Sequence, residues 1–486
     1  MSADAAQPPY QPLLIAIHGP VNSGKSHLAG QIALEVASSG RVEGWLQVAG
    51  SRAGQTLGAE DYALRFIGSS AASFPEPLAY LTRDRERQPP YRVLPETAEP
   101  LRDWQQSVCA DQRPIDLLVL DEFGSIEAKG EGHLQRWLDL REREPGAVIV
   151  VVHSSRLALV EAALGQAFDV RVDARDAQAL EQLRDVLVAR RDFERVGWFG
   201  AFAGAFEVGA GSIVHGAKIP FGGLGMATTQ AAVLTRAAEP MADRGRVVWV
   251  ALLSAGIKSM SPAGQRIRPM LAIAIQGWLY SRALRWLGWN LLAVMLGGFL
   301  MGAWAGSQGL FMQWLLVGDA LAVALNQLSS EIAHLLGAST PSLSGLIGVW
   351  IAAHGAIVAA GTGLAWRRRH LVKLVDTPSR WQLPLLNEGK RGWLASIGRG
   401  LRELARPTFW LPLLLILAAL AWAGQSQQSL VFVALRAIVI GWILFVLIQR
   451  LDFRALPGRM RRLGMWGPAI AWRRALTRLQ AQQKRG

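Results

Sequence analysis

At 486 residues the chain is too long for one ordinary domain, and its balance of 51% hydrophobic to 18% charged residues excludes a disordered chain and points to the membrane class. The net charge of +14 would suit a nucleic-acid partner. The arginines, however, flank apolar runs, and no basic-aromatic module or zinc spacing is present, so membrane topology explains the charge and nucleic acid is excluded.

Residues 1–195 hold most of the acidic groups and read as one soluble domain. No signal peptide is recognised, so this domain is expected in the cytosol. The apolar run Leu13–Ile17 predicts a buried strand and residues from Lys25 to about Ala37 a helix. Between them stands Gly19-Pro20-Val21-Asn22-Ser23-Gly24-Lys25-Ser26, with His27 following, in the pattern G-x-x-x-x-G-K-[ST]. In that context the glycines let amide groups face phosphate oxygens, and the helix N-terminus adds favourable charge. Lys25 is expected to reach the β- and γ-phosphates and Ser26 to hold Mg²⁺.

A second signature is the apolar run after Asp116, which ends in Asp121-Glu122. Asp121 fits a ligand of the Mg²⁺ shell, and Glu122 a general base for an attacking water. The run from Ala147 to Val152 predicts a third strand, ending in His153-Ser154-Ser155. There a polar residue either senses the γ-phosphate or caps the helix that begins near Leu157. The fold expected is an α/β P-loop NTPase domain, a parallel sheet with helices on both faces. Cys109, the lone cysteine, rules out an internal disulfide.

Residues 12–190 resemble the cancer-related nucleoside-triphosphatase family. Gly44-Trp45-Leu46-Gln47 stands where that family begins a hairpin, and Tyr91-Arg92-Val93 precedes the acidic strand. Asp121-Glu122-Phe123-Gly124-Ser125-Ile126-Glu127 follows the family's D-E-[IF]-G-x-[ML]-E, departing at Ile126. Val152-His153, Val170-Arg171-Val172 and Ala177 to Leu187 resemble its closing elements. The resemblance implies Mg²⁺-dependent hydrolysis of ATP or another nucleoside triphosphate with loose base preference. It carries Gly19, Gly24, Lys25, Ser26, Asp121, Glu122 and Glu127 onto this chain. Arg83, Arg85 and Arg87 are either candidates for an arginine finger or a solvated run. The L-S-G-G-Q signature is absent from the domain, which excludes an ordinary ABC-type ATPase.

Residues 196–486 read as an all-α polytopic transmembrane bundle of the inner membrane. Trp286–Gly318, Leu335–Trp366 and Phe409–Leu435 are long apolar stretches free of Lys, Arg, Asp and Glu. About six spans are expected over residues 196–366, with 286–337 either one tilted element or two spans. A basic cytosolic linker covers 367–407, a helical hairpin 408–451, and a basic amphipathic tail 452–486. Arg436 within the hairpin is expected to face protein or to snorkel. In the tail, Arg459, Arg461, Arg462, Arg473, Arg474 and Arg478 read as facing anionic lipid or docking on the NTPase domain.

Two breaks interrupt the bundle, Ser212–Gly223, with a loop around Lys218 to Gly223, and Ile257–Pro269. With a glycine-rich helix over Gly345–Gly363, this layout is similar to the substrate-binding membrane subunits of energy-coupling-factor vitamin transporters. Lys218, Lys258, Arg266 and Arg268 are either ligands for a small anionic solute or interfacial cations. Gln230, Gln276 and Asn326 read as polar contacts between helices. His215, His334 and His354 lack metal-ligand spacing. Glu207, Asp319 and Glu331 are either intramembrane functional acids or solvated.

The function expected is a membrane-integral NTPase coupling hydrolysis to binding or transport of a small solute; the alternative is a membrane-anchored nucleotide sensor or switch. Membrane lipid is an expected partner, and a homo-oligomer or a partner subunit is expected to complete the cycle.

Overall fold

The computed structural model describes residues 11–49, 61–68, 71–72, 76–84, 86, 90–216, 222–259, 267–318, 343–368, 426–449 and 455–485, with scattered positions in 321–334 and 410–421. Arg85, Arg87, Lys218, Arg266, Asp319 and the basic linker beyond Arg368 lie outside them, as do the side chains of His215, Arg268 and Arg436. The chain divides into two units, Met1–Arg190 and Arg191–Gly486.

Unit 1 is an α/β domain built on an eight-stranded sheet in the order β5-β4-β3-β2-β6-β7-β1-β8. The strands are β1 (Leu13–Gly19), β2 (Val42–Ala49), β3 (Tyr62–Gly68), β4 (Leu78–Arg83), β5 (Tyr91–Val93), β6 (Leu117–Phe123), β7 (Ala147–His153) and β8 (Val170–Asp173). The sheet is mixed, where the sequence led us to expect a parallel one. β2, β6, β7, β1 and β8 run parallel, whereas β3, β4 and β5 join β2 as an antiparallel arm. Parallel pairs need a crossover, usually a helix, and among the described residues no α-helix lies between β2 and β3, β3 and β4 or β4 and β5.

The centre of the sheet is apolar on both faces, as continuous runs of Leu, Ile and Val require. Every residue from Leu13 to Ile17, Leu117 to Leu120 and Ala147 to Val152 is buried. α1 (Lys25–Ala37) buries Leu28, Ala29, Ile32 and Ala33, and its Gly30 lies against Leu46. The next residue on the other face of β2, Trp45, belongs to a second layer with α2 (Ala98–Ala110), α3 (Leu134–Arg141) and α4 (Leu157–Leu164). Trp104 meets Trp45 edge to face at 5.4 Å and stacks on Phe66 at 5.3 Å.

Unit 2 is mostly helical. Its elements are the second part of α5 (Ala179–Gly216), α6 (Gly222–Ala238), α7 (Val248–Ser259), α8 (Ile267–Leu287), α9 (Leu291–Val317), α10 (Leu343–Arg367), α11 (Gln427–Gln449), α12 (Leu456–Arg462) and α13 (Trp466–Arg485). Among the described residues two helical segments, Leu291–Phe311 and Ile347–Arg367, are long and apolar enough to cross a membrane. The ambiguous stretch after Trp286 resolves at its start: Asn290 accepts from the Ala293 amide at 2.8 Å and caps α9, which ends at Gly318.

α9 and α10 approach through glycine. A Cβ on Gly298 would meet Thr362 at 2.3 Å, one on Gly302 the His354 carbonyl oxygen at 2.2 Å, and one on Gly355 the Phe299 ring at 2.7 Å. Small residues every fourth position let the two backbones touch. His354 Nδ1 donates to the Trp350 carbonyl at 2.9 Å. Gln230 donates to the Ile273 carbonyl at 3.0 Å, a contact between α6 and α8. Asn326, Glu331 and His334 are exposed.

The C-terminal helices pack back on unit 2. Trp466 meets Phe193 at 6.1 Å, Trp472 fills the space over Gly256, and Arg478 stacks over Trp198 at 4.0 Å. Asp192, at the start of this unit, accepts from the Ala242 and Asp243 amides and from Arg246, and so fixes the turn between α6 and α7.

Candidate functional site

The predicted glycine loop and acidic pair come together at the carboxyl ends of β1 and β6, the edge where open α/β sheets bind ligands. β1 ends at Gly19, and α1 begins at Lys25. Gly24, which precedes the helix, has φ 86°, a left-handed conformation suited to glycine. Gly19 is required for a different reason: a Cβ there would lie 2.2 Å from Ser23 Oγ. The turn closes by the Ser23 amide donating to the Pro20 carbonyl at 3.4 Å. Lys25 is 7% exposed, and its ammonium donates to that same carbonyl at 2.8 Å. Val21 and Asn22 stand exposed at the tip, and His27 is exposed on the first turn of α1.

β6 delivers Asp121 and Glu122. Its register with β7 shifts between Leu120 and Phe123, and the Asp121–Glu122 peptide is cis. Asp121 is fully buried: Oδ2 accepts from the Gln47 amide at 3.0 Å, while Oδ1 has no hydrogen-bond partner. Burial pushes its carboxyl up to about 7, an effect the facing Ser26 hydroxyl, the Gln47 amide and Lys25 offset in part and the Glu122 charge reinforces. Glu122 is also raised by burial, against the pull of Lys25 and His153. Lys25, Ser26, Asp121, Glu122 and His153 therefore share one electrostatic neighbourhood.

Ser26 and Asp121 are hard oxygen donors, and a buried carboxylate oxygen without a partner beside a hydroxyl suits a small divalent cation such as Mg²⁺. That ion keeps most of its shell as water and substrate oxygens, so two protein donors suffice. Among the described residues no cluster of three or more His, Cys, Asp or Glu is placed to hold a metal by itself.

Neighbouring residues hold the pair in place. Glu127 accepts from the Gly124 amide at 2.8 Å and the His133 amide at 3.3 Å, clamping the loop that follows Glu122. His133 is buried between Trp45 and Tyr80, ring centroids 4.3 and 4.4 Å away, and burial keeps it neutral, well below its ordinary range. Glu127 thus serves the backbone. His153 does what a strand-end cap does, accepting from the Ser155 amide at 3.4 Å, and also acts on Glu122.

No family model, curated protein or solved structure matches this chain. What can be said of the site therefore comes from its own geometry.

Three contributors had no role assigned from the sequence, although Gln47 stood in the hairpin segment. Gln47 reaches Asp121 because β2 runs past the end of its pairing with β6, at Trp45 opposite Leu120. Tyr62 pairs with Ala49 at the tip of the arm, meets Tyr91 at 5.6 Å, and is pushed up to about 12 by burial, by Tyr91 and by the Glu122 charge. His18, one residue before Gly19, lies 3.3 Å from Ser154 Oγ. Of the candidate finger arginines, Arg83 closes β4 opposite Tyr91 and acts on Tyr62.

Proposed function

We propose that the chain is a membrane-integral, Mg²⁺-dependent nucleoside-triphosphatase that couples hydrolysis of ATP or another triphosphate to binding or movement of a small solute. The observation that carries this reading is the convergence of Lys25 and Ser26 with Asp121 and Glu122, from segments about a hundred residues apart in sequence. In it, amides at the start of α1 and the Lys25 ammonium hold the phosphates, and Ser26 and Asp121 hold the ion that neutralises them. Glu122, with Lys25 and His153 close by to favour its charged form, takes the proton from the attacking water. Tyr62, on the antiparallel arm, lies near enough to Glu122 for that charge to act on its phenol. The unit belongs to the P-loop class of folds on this reading, and the nucleoside-triphosphatase resemblance points the same way.

Membrane insertion is proposed on the two candidate spans and the apolar surface of α10 and α11. Val349, Ile357 and Leu364 are more than half exposed, as are Val431, Phe432 and Leu435. Such a surface is stable against lipid and unstable against water. The full multi-pass topology, with unit 1 in the cytosol of a cell bounded by this inner membrane, follows from the arginines flanking the apolar runs.

The test is release of phosphate by the purified full chain with ATP and Mg²⁺. Activity is expected in the wild type and lost with chelator or in Lys25→Ala. Hydrolysis unchanged by Lys25→Ala removes the assignment. If a ligand changes hydrolysis in proteoliposomes without flux, the sensor reading replaces transport.

A further inference from the structure

Unit 2 buries two opposite charges that the nucleotide site does not use. Glu207 on α5 is 6% exposed and Lys258 on α7 is 2% exposed. The Lys258 ammonium donates to the main-chain oxygen of Glu207. Both groups face Gly211, one helical turn beyond Glu207. A Cβ there would lie 3.0 Å from Glu207 Oε2, 3.2 Å from Lys258 Nζ and 3.2 Å from Met226 Cε of α6. Among the described residues, each of the two charges acts on the other and no third charge acts on either. Ser254, four residues before Lys258 and so on the same face of α7, is 1% exposed, and its hydroxyl has no hydrogen-bond partner.

Ionisable groups in an apolar bundle are retained where they handle a ligand or ion. A buried pair adds little stability over apolar residues of the same size. The chemistry of the ligand follows from charge balance. An anion alone would leave the site with a net negative charge, and a cation alone with a net positive one; both are unfavourable in a low-dielectric interior. A molecule carrying one positive and one negative group exchanges partners with both side chains and changes nothing in the sum.

We propose that Glu207, Ser254 and Lys258 form the solute site of the helical unit and that it takes a small zwitterion, a free amino acid. The amino acid's ammonium binds the Glu207 carboxylate; its carboxylate accepts from Lys258 and Ser254. Glu207, Lys258 and Met226 close around Gly211, so the amino acid enters by displacing the Lys258 ammonium from the Glu207 main-chain oxygen and taking its place between the two charges. This deepens the proposed coupling to a solute and rests on the reading of unit 2 as a solute-handling bundle.

The test uses the full chain in detergent with glycine, alanine and serine as probes, and acetate and ethylamine as half-ligands, read by thermal unfolding and by equilibrium binding of labelled amino acid. At least one amino acid is expected to bind saturably, with neither half-ligand competing at equal concentration. Ser254→Ala is expected to weaken binding several-fold, and Glu207→Gln and Lys258→Met each at least tenfold. The double variant Glu207→Gln/Lys258→Met orphans no charge, so it is expected to remain folded and not to bind. The proposal is overturned if no amino acid binds, if acetate or ethylamine binds as well as the amino acids, or if binding survives in the double variant. Phosphate release measured on the same preparations keeps the outcomes apart: hydrolysis with no amino-acid binding sinks the solute site and leaves the nucleotide site standing.

Discussion

Unit 1 and unit 2 use the same residue types for opposite ends. Glycine in unit 1 serves backbone conformation, as at Gly24 with φ 86°. Glycine in unit 2 serves proximity, as at Gly302 against the His354 carbonyl. Buried acids differ in the same way. Asp121 and Glu122 sit at the ends of strands, next to a lysine, a hydroxyl and main-chain amides. Glu207 sits in mid-helix, where every main-chain amide is already engaged, and its charge has one partner, Lys258. A sheet edge supplies free backbone donors to a charged ligand; a helical bundle has none, and must supply side chains in balanced pairs.

The largest expected effects fall on the sheet edge. Glu122→Gln removes the proposed base while keeping shape, and the proposed hydrolysis is expected to fall by about a hundredfold or more in a steady-state phosphate assay, with nucleotide binding retained. If Glu122→Gln hydrolyses at the wild-type rate, the water is activated by another group. Next comes the helix contact. Gly302→Val forces α9 and α10 apart at a backbone oxygen, and a loss of roughly 3 kcal/mol is expected, seen as a lower melting temperature in detergent. An unchanged melting temperature would mean that the glycine face is not packed as described.

Asp121 gives a third test, with a sign. Its carboxyl is raised from 3.8 to about 7 in the folded protein. The folded state then holds more protons than the unfolded one between those values. Stability is therefore fully present below the lower value, falls as pH rises between them, and stays at its reduced level above about 7. Without nucleotide, Asp121→Asn is expected to melt higher than wild type at about pH 8, with the advantage shrinking toward about pH 5. Equal melting at both would show that the carboxyl is not raised. With Mg²⁺ and triphosphate the order reverses, because the ion needs the ionised oxygen. The smallest effect is at the tail: Arg478→Gln removes the cation over Trp198 and is expected to cost about 1 kcal/mol, measured by the same melts.

The site's centre was legible in the sequence because its chemistry is local. A glycine loop between a strand and a helix, and two acids at the end of an apolar run, are fixed by neighbours along the chain. The apolar helices were legible for the same reason, since composition over about twenty residues decides whether a segment suits lipid. The mixed sheet was not legible, because strand direction depends on which strand becomes a neighbour and not on the strand's own residues. Tyr62 was invisible, and Gln47, though named in the hairpin segment, showed no sign of its role: each looks like any strand residue until the register of β2 with β3 and β6 brings it to the acids.

By itself, then, the order of residues determined the central strands, the glycine loop and the long apolar helices, and that a lysine, a serine and two acids stand in the pattern proposed for phosphate chemistry; the strands at Tyr62–Gly68 and Leu78–Arg83 were not read from it. Only the tertiary structure decided who meets whom: Tyr62 of the arm near Glu122, the Gln47 amide on Asp121, and Lys258 with Glu207. The physical reason is range. Backbone preference and hydrophobic periodicity act over a few residues, whereas packing and charge pairing act through space between segments that the chain keeps far apart.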